Sequence, residues 1–156
     1  MIQTLLRLRT LFASTRRLAA ALLVSAILAP ALSAQLPPCQ PDLGLQGPGL
    51  SSLYVCGDLG TGGTFYIQVL NCTSFTPALI FASLNNSPTP FKGGLLATVP
   101  VIFSLPLVTD AAGEFLLGNI PGGGGPVTFY LQCASLDGGM PYGVSLSNAV
   151  QVQLQP

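Results

Sequence analysis

Histidine is absent from all 156 residues, and after Arg17 the chain holds a single cation, Lys92. The first absence removes Ser-His-Asp and Cys-His nucleophilic arrangements from this subunit, together with histidine-based zinc sites. The second leaves no basic stripe to track a phosphate backbone, so nucleic acid is not an expected partner. The four cysteines form no CxxC pair, which removes the spacing of a structural zinc site or a thioredoxin-like redox pair. Helical periodicity is also missing after residue 35, because Gly or Pro interrupts almost every window long enough for three turns. No cofactor is expected.

All four arginines, Arg7, Arg9, Arg16 and Arg17, precede an apolar run, Leu18 to Ala29, that Pro30 closes and small residues follow. This is the layout of a secretory signal peptide. The run is too short for a bilayer span of about 20 residues, so residues 1–34 are expected to be a leader, cut near Ser33 or Ala34, with no transmembrane segment after cleavage. Residues 35–50 form a proline/glycine-rich N-terminal segment, and 51–156 are expected to fold as one domain. The body is then a secreted, periplasmic or envelope-associated protein. Its one cation against five anions, Asp42, Asp58, Asp110, Glu114 and Asp137, gives it a net charge of −4.

The cysteines, Cys39, Cys56, Cys72 and Cys133, all lie in this body and are even in number, which in an oxidising compartment reads as up to two disulfides. Three connectivities are open. The preferred one pairs Cys39 with Cys56, pinning the N-terminal segment, and Cys72 with Cys133, linking two β-patterned runs.

Short β-favouring runs recur through the body. In TFYIQVLNC, residues 64–72, Phe65, Ile67 and Val69 share one parity while Tyr66, Gln68 and Leu70 share the other; in VTFYLQCA, residues 127–134, Val127, Phe129, Leu131 and Cys133 oppose Thr128, Tyr130 and Gln132. One apolar face and one mixed face fit a sheet packed on one side. Pro100 and Pro106 interrupt the run that begins at Leu95, which predicts an edge strand or two short strands joined by a bend. The fold class is all-β. Seven or eight short strands in two packed antiparallel sheets are the most economical arrangement, with a partly open barrel as the alternative.

Candidate chemistry is sparse. Asp58, Asp110, Glu114 and Asp137 offer carboxylates for acid–base glycan cleavage or a calcium ion. Aspartates beside turn glycines more often cap the turn through their own side chains, so no catalytic or metal-binding residue is assigned. Tyr66 with Gln68, and Tyr130 with Gln132, each combine a stacking ring with an amide on the mixed face, as a carbohydrate-binding surface would require. The glycine-dense stretches GDLGTGG (57–63) and IPGGGGP (120–126) read as hairpin connections, since neither has the Lys-Ser/Thr or βαβ setting of a phosphate loop.

The order of TDAAGEF (109–115), Ile120-Pro121, FYLQC (129–133) and SNAVQVQL (147–154) resembles the small β-sandwich modules at the C-terminal ends of secreted proteins from planctomycete-like bacteria. That resemblance covers roughly the last hundred residues. It implies export, β architecture and a bacterial envelope setting, and carries no catalytic residue. Here the module follows the leader almost directly, as a stand-alone version would. The expected function is a non-catalytic structural or protein-interaction module, binding an envelope or extracellular protein, with polysaccharide binding as the alternative and a carboxylate-dependent glycan-cleaving enzyme a distant third.

Overall fold

A computed structural model describes residues 38–156; the leader expected over residues 1–34 lies outside the described residues. The body is all-β. Its strands are β1 (Ser52–Gly57), β2 (Thr64–Leu70), β3 (Pro77–Ser83), β4 (Thr89–Phe91), β5 (Gly94–Leu96), β6 (Phe103–Val108), β7 (Phe115–Pro121), β8 (Val127–Leu136) and β9 (Val144–Leu154). Sheet I has the order β1-β2-β7 and sheet II the order β6-β3-β8-β9, while β4 and β5 pair only with each other. Every pairing is antiparallel. Neither sheet closes on itself, so the architecture is the open sandwich and not the barrel.

The sequence parity sets which faces meet. On sheet I, Leu53 pairs with Val69 and Val55 with Ile67; on sheet II, Ile80 pairs with Cys133 and Ala82 with Leu131. These inward residues, with Val150 and Val152 of β9, build one core. Burying each large aliphatic side chain supplies about 1.5–3 kcal/mol, which is how a chain with 18 glycines and 14 prolines in all can hold a fixed shape over its body.

The proline/glycine-rich segment is woven into both sheets. The Cys39–Cys56 disulfide, expected from the sequence, fastens it to β1, where Gln40 N–H donates to Val55 O and Gly57 N–H to Pro38 O. The segment then crosses to β9: Leu43 N–H donates to Ala149 O, Ala149 N–H to Gly44 O and Leu146 N–H to Pro48 O. It therefore acts as a strap over the flank where β1 and β9 run side by side, satisfying backbone groups that an edge would leave open. Asn148 locks the same flank, its Oδ1 accepting Leu53 N–H at 2.8 Å and its Nδ2 donating to Leu53 O at 3.0 Å.

The run broken by prolines behaves as its sequence predicts. β5 ends at Leu96, a cis Val99–Pro100 bond follows, and β6 resumes at Phe103 as the edge of sheet II. Cys72 and Cys133 depart from the preferred pairing and are both thiols in this structure.

Candidate functional site

The four aspartates share one local job. Asp42 accepts the N–H of Gly44, Asp58 that of Gly60, Asp110 that of Ala112 and Asp137 that of Gly139, each two residues on and at 2.7–2.9 Å. A carboxylate in this position replaces a backbone acceptor and fixes the turn. Asp110 also takes Glu114 N–H at 2.9 Å, and Gly113 between them has φ 76° with its Cα packed under the carbonyl of Cys72. Among the described residues no group of three His, Cys, Asp or Glu side chains is placed to hold a metal ion.

Sheet I presents an open outer face. Gln68 lies between Tyr54 on β1 and Leu116 on β7, and Tyr66 stands one step along beside Cys56. With Gly118 and Asn119, Tyr66 and Gln68 line a shallow depression of about 420 Å³. Asn119 takes a left-handed backbone, φ 56°, beside a register shift in the β2–β7 ladder; Asn tolerates that conformation better than most residues. Tyr54 joins this face because the β1–β2 register sets it directly across from Gln68.

Tyr130 and Gln132 take a different course. Both point to the outer face of sheet II, but there the β4–β5 hairpin and the N-terminal strap fold over it. Gln132 is 0% exposed. Its Oε1 accepts Ala97 N–H at 2.8 Å, and its Nε2 faces the carbonyls of Leu45, Leu95 and Ser147 at 2.9–3.2 Å. The amide is thus a knot joining strap, hairpin and β9, and has no group left for a ligand. Tyr130 is half-buried between Ser83 and Gln151.

Where the hairpin leaves it uncovered, the same face of sheet II is bare and apolar. Leu79 faces Pro106 on one side and Ala134 on the other, Pro77 faces Val108, and Leu136 faces Val144. With Phe91 from the hairpin, these residues line a trough of about 600 Å³. Val108 is 60% exposed and Leu136 54%. The sequence signal was the run ALIFASL, apolar at both parities, which marks a strand covered on two faces; here one cover is only partial.

The trough borders an open edge. Thr109 N–H bonds Thr76 O, so by antiparallel alternation Ser104, Pro106 and Val108 turn their backbone groups away from β3. Pro106 has no N–H to offer there, which blunts strand addition at the middle of β6. At one end of the trough the chain turns through Asp110 to Glu114, with Thr109 between Val108 and Asp110, and through Asp137 directly after Leu136; the exposed Phe75 is tied to the first turn by its N–H, which donates to Asp110 O.

Comparison with protein families, curated proteins and solved structures finds no match for this chain. No helix among the described residues is long and apolar enough to cross a membrane.

Proposed function

We propose that this chain is a non-catalytic interaction module of the extracellular space or bacterial envelope, and that the trough on sheet II receives an apolar anchor from a partner polypeptide. The trough carries the reading: a contiguous apolar depression with Leu79, Val108 and Leu136 exposed marks a contact surface more often than a solvated one. Three carboxylates stand at the turns adjoining its end, so the partner segment carries basic residues beside its apolar anchor. Aspartates committed to capping separate turns support the non-catalytic part of the proposal. The extracellular or envelope setting is proposed from the leader expected over residues 1–34 and from the sequence resemblance to planctomycete-like secreted modules.

Capture of solubilised envelope proteins tests this. A bound polypeptide should be released by Leu136→Asp and by Leu79→Asp, weaken with rising salt and ignore Tyr66→Ala. Binding that survives both trough variants refutes the assignment.

Tyr54, Tyr66, Gln68 and Asn119 on one open face favour polysaccharide binding as a second reading. Saturable retention on an envelope polysaccharide, lost in Tyr66→Ala and kept in Leu136→Asp, would establish it in place of the first.

A further inference from the structure

Two thiols remain after the Cys39–Cys56 bridge, and both lie in the region where the sheets face each other. Cys72 follows β2 of sheet I, with its N–H held by Gly113 O at 3.0 Å, and its side chain packs against the buried cluster to which Cys133 belongs. Cys133 sits in mid-β8 of sheet II, opposite Ile80, fully buried, with its N–H held by Ser147 Oγ at 2.9 Å. Ser135 shares the inward face of β8 with Cys133, and its hydroxyl lies against the Cys72 thiol without forming a hydrogen bond of ordinary geometry. Cys72 therefore meets β8 at the residues around Cys133. We propose that Cys72 and Cys133 are a cross-sheet dithiol that a small disulfide of the oxidising compartment converts to a second bridge, stapling sheet I to sheet II.

The order of events follows from access. Cys72 is half-buried and Cys133 fully buried, so the Cys72 thiolate attacks one sulfur of oxidised glutathione first, forming a mixed disulfide and releasing one glutathione thiolate. Cys133 then loses its proton to solvent base and attacks the Cys72 Sγ, and the second glutathione leaves. Two protein thiols are oxidised and one small disulfide is reduced to two thiols. Burial foremost, and then the neighbouring Cys72, push the Cys133 thiol up to about 12. The resolving step is accordingly slow in the folded protein and faster during folding, when Cys133 is solvated.

The full chain, purified without reductant so that Cys39–Cys56 persists, is treated with oxidised glutathione in the folded state and, in parallel, during refolding. In at least one arm both free thiols of the structure should disappear, the mass should fall by two hydrogens, no glutathione should remain attached, and peptide mapping should join Cys72 to Cys133. In the folded arm, Cys133→Ser should retain glutathione on Cys72, and Cys72→Ser should keep the buried Cys133 as a thiol. The proposal is overturned if, in both arms, wild-type protein either holds a stable glutathione adduct at Cys72 or keeps both thiols.

Discussion

Replacing Gln132 with leucine keeps the side chain near its present volume and removes its amide. Ala97 N–H then loses the acceptor it reaches at 2.8 Å, and the carbonyls of Leu45, Leu95 and Ser147 lose their shared donor. An unmade hydrogen bond at a buried donor costs about 1–3 kcal/mol. Carbonyls with a second lone pair cost less, so the substitution should destabilise by about 3–5 kcal/mol, a large share of the roughly 5–15 kcal/mol typical of a domain. Urea unfolding followed by far-UV circular dichroism gives the total, and hydrogen exchange at Ala97 reports whether the hairpin lifts before the sandwich opens. Gln132→Glu should be worse at neutral pH and recover on acidification, because a buried carboxyl has a raised pKa and folds best protonated. A leucine variant that loses less than about 1 kcal/mol would show that water replaces the amide's bonds and that Gln132 does not anchor the hairpin.

The remaining predictions probe separate parts of the body. Gly113→Ala combines a left-handed backbone with a Cβ that overlaps the Cys72 carbonyl; it should cost about 2–4 kcal/mol and lower the thermal midpoint. Asn148→Ala leaves both Leu53 backbone groups unpaired in a buried flank and should cost about 2–3 kcal/mol in urea, with faster exchange of the Leu53 amide. In the protein with Cys72 and Cys133 reduced, the Cys133 pKa raised to about 12 from 9.0 means the folded state holds its proton more tightly than the unfolded chain. That stability is present in full below about pH 9 and is lost as pH rises toward 12; by about pH 10.5 the loss should reach about 2 kcal/mol. Cys133→Ala, titrated alongside, should lack this part of the alkaline slope. Leu136→Asp lies on an exposed position and should change unfolding free energy by no more than about 0.5 kcal/mol, which lets its effect on partner retention be read as a surface effect.

The sandwich was legible because its core strands alternate cleanly. Phe65, Ile67 and Val69, and Phe129, Leu131 and Cys133, face inward as their parity requires. Pro100 and Pro106 announced an edge because proline cannot donate to a ladder. The N-terminal segment was not legible as a strap: its backbone bonds to β1 and β9 have no side-chain signature, and PPCQPDLGLQGPG lacks any alternation to reveal them. The polar and glycine residues of TDAAGEF, FYLQC and SNAVQVQL also acquire physical roles. Asp110 and Gly113 shape the β6–β7 turn, Gln132 ties down the hairpin, and Asn148 bridges the sheets. Each is a fixed hydrogen-bonding or steric requirement, which local composition marks as polar without showing whether the polarity faces solvent or a buried backbone.

The candidate ligand residues make that distinction sharpest. β2 carries TFYIQV and β8 carries TFYLQC, nearly the same six residues on an internal strand of each sheet. In both, the Phe and the aliphatic residues enter the core and the Tyr and Gln point outward. Their fates differ because of what the chain does elsewhere. Between β3 and β6 it spends residues 84–102 on a hairpin that returns over sheet II, and the strap reaches the same place, so Gln132 is enclosed and consumed. Between β1 and β2 it spends residues 58–63 on a tight turn, so Tyr66 and Gln68 remain half-exposed on sheet I. Strand parity decides the face of a side chain, whereas distant loops decide whether that face meets water. If a shortened hairpin between Ser83 and Phe103 were to expose Gln132, sheet II would gain a Tyr-Gln surface like that of sheet I and lose the Phe91 wall of its trough. Loss of partner capture by such a variant, with Tyr66-dependent polysaccharide retention unchanged, would locate the interaction on the covered face; unchanged partner capture would remove the hairpin from the interaction altogether.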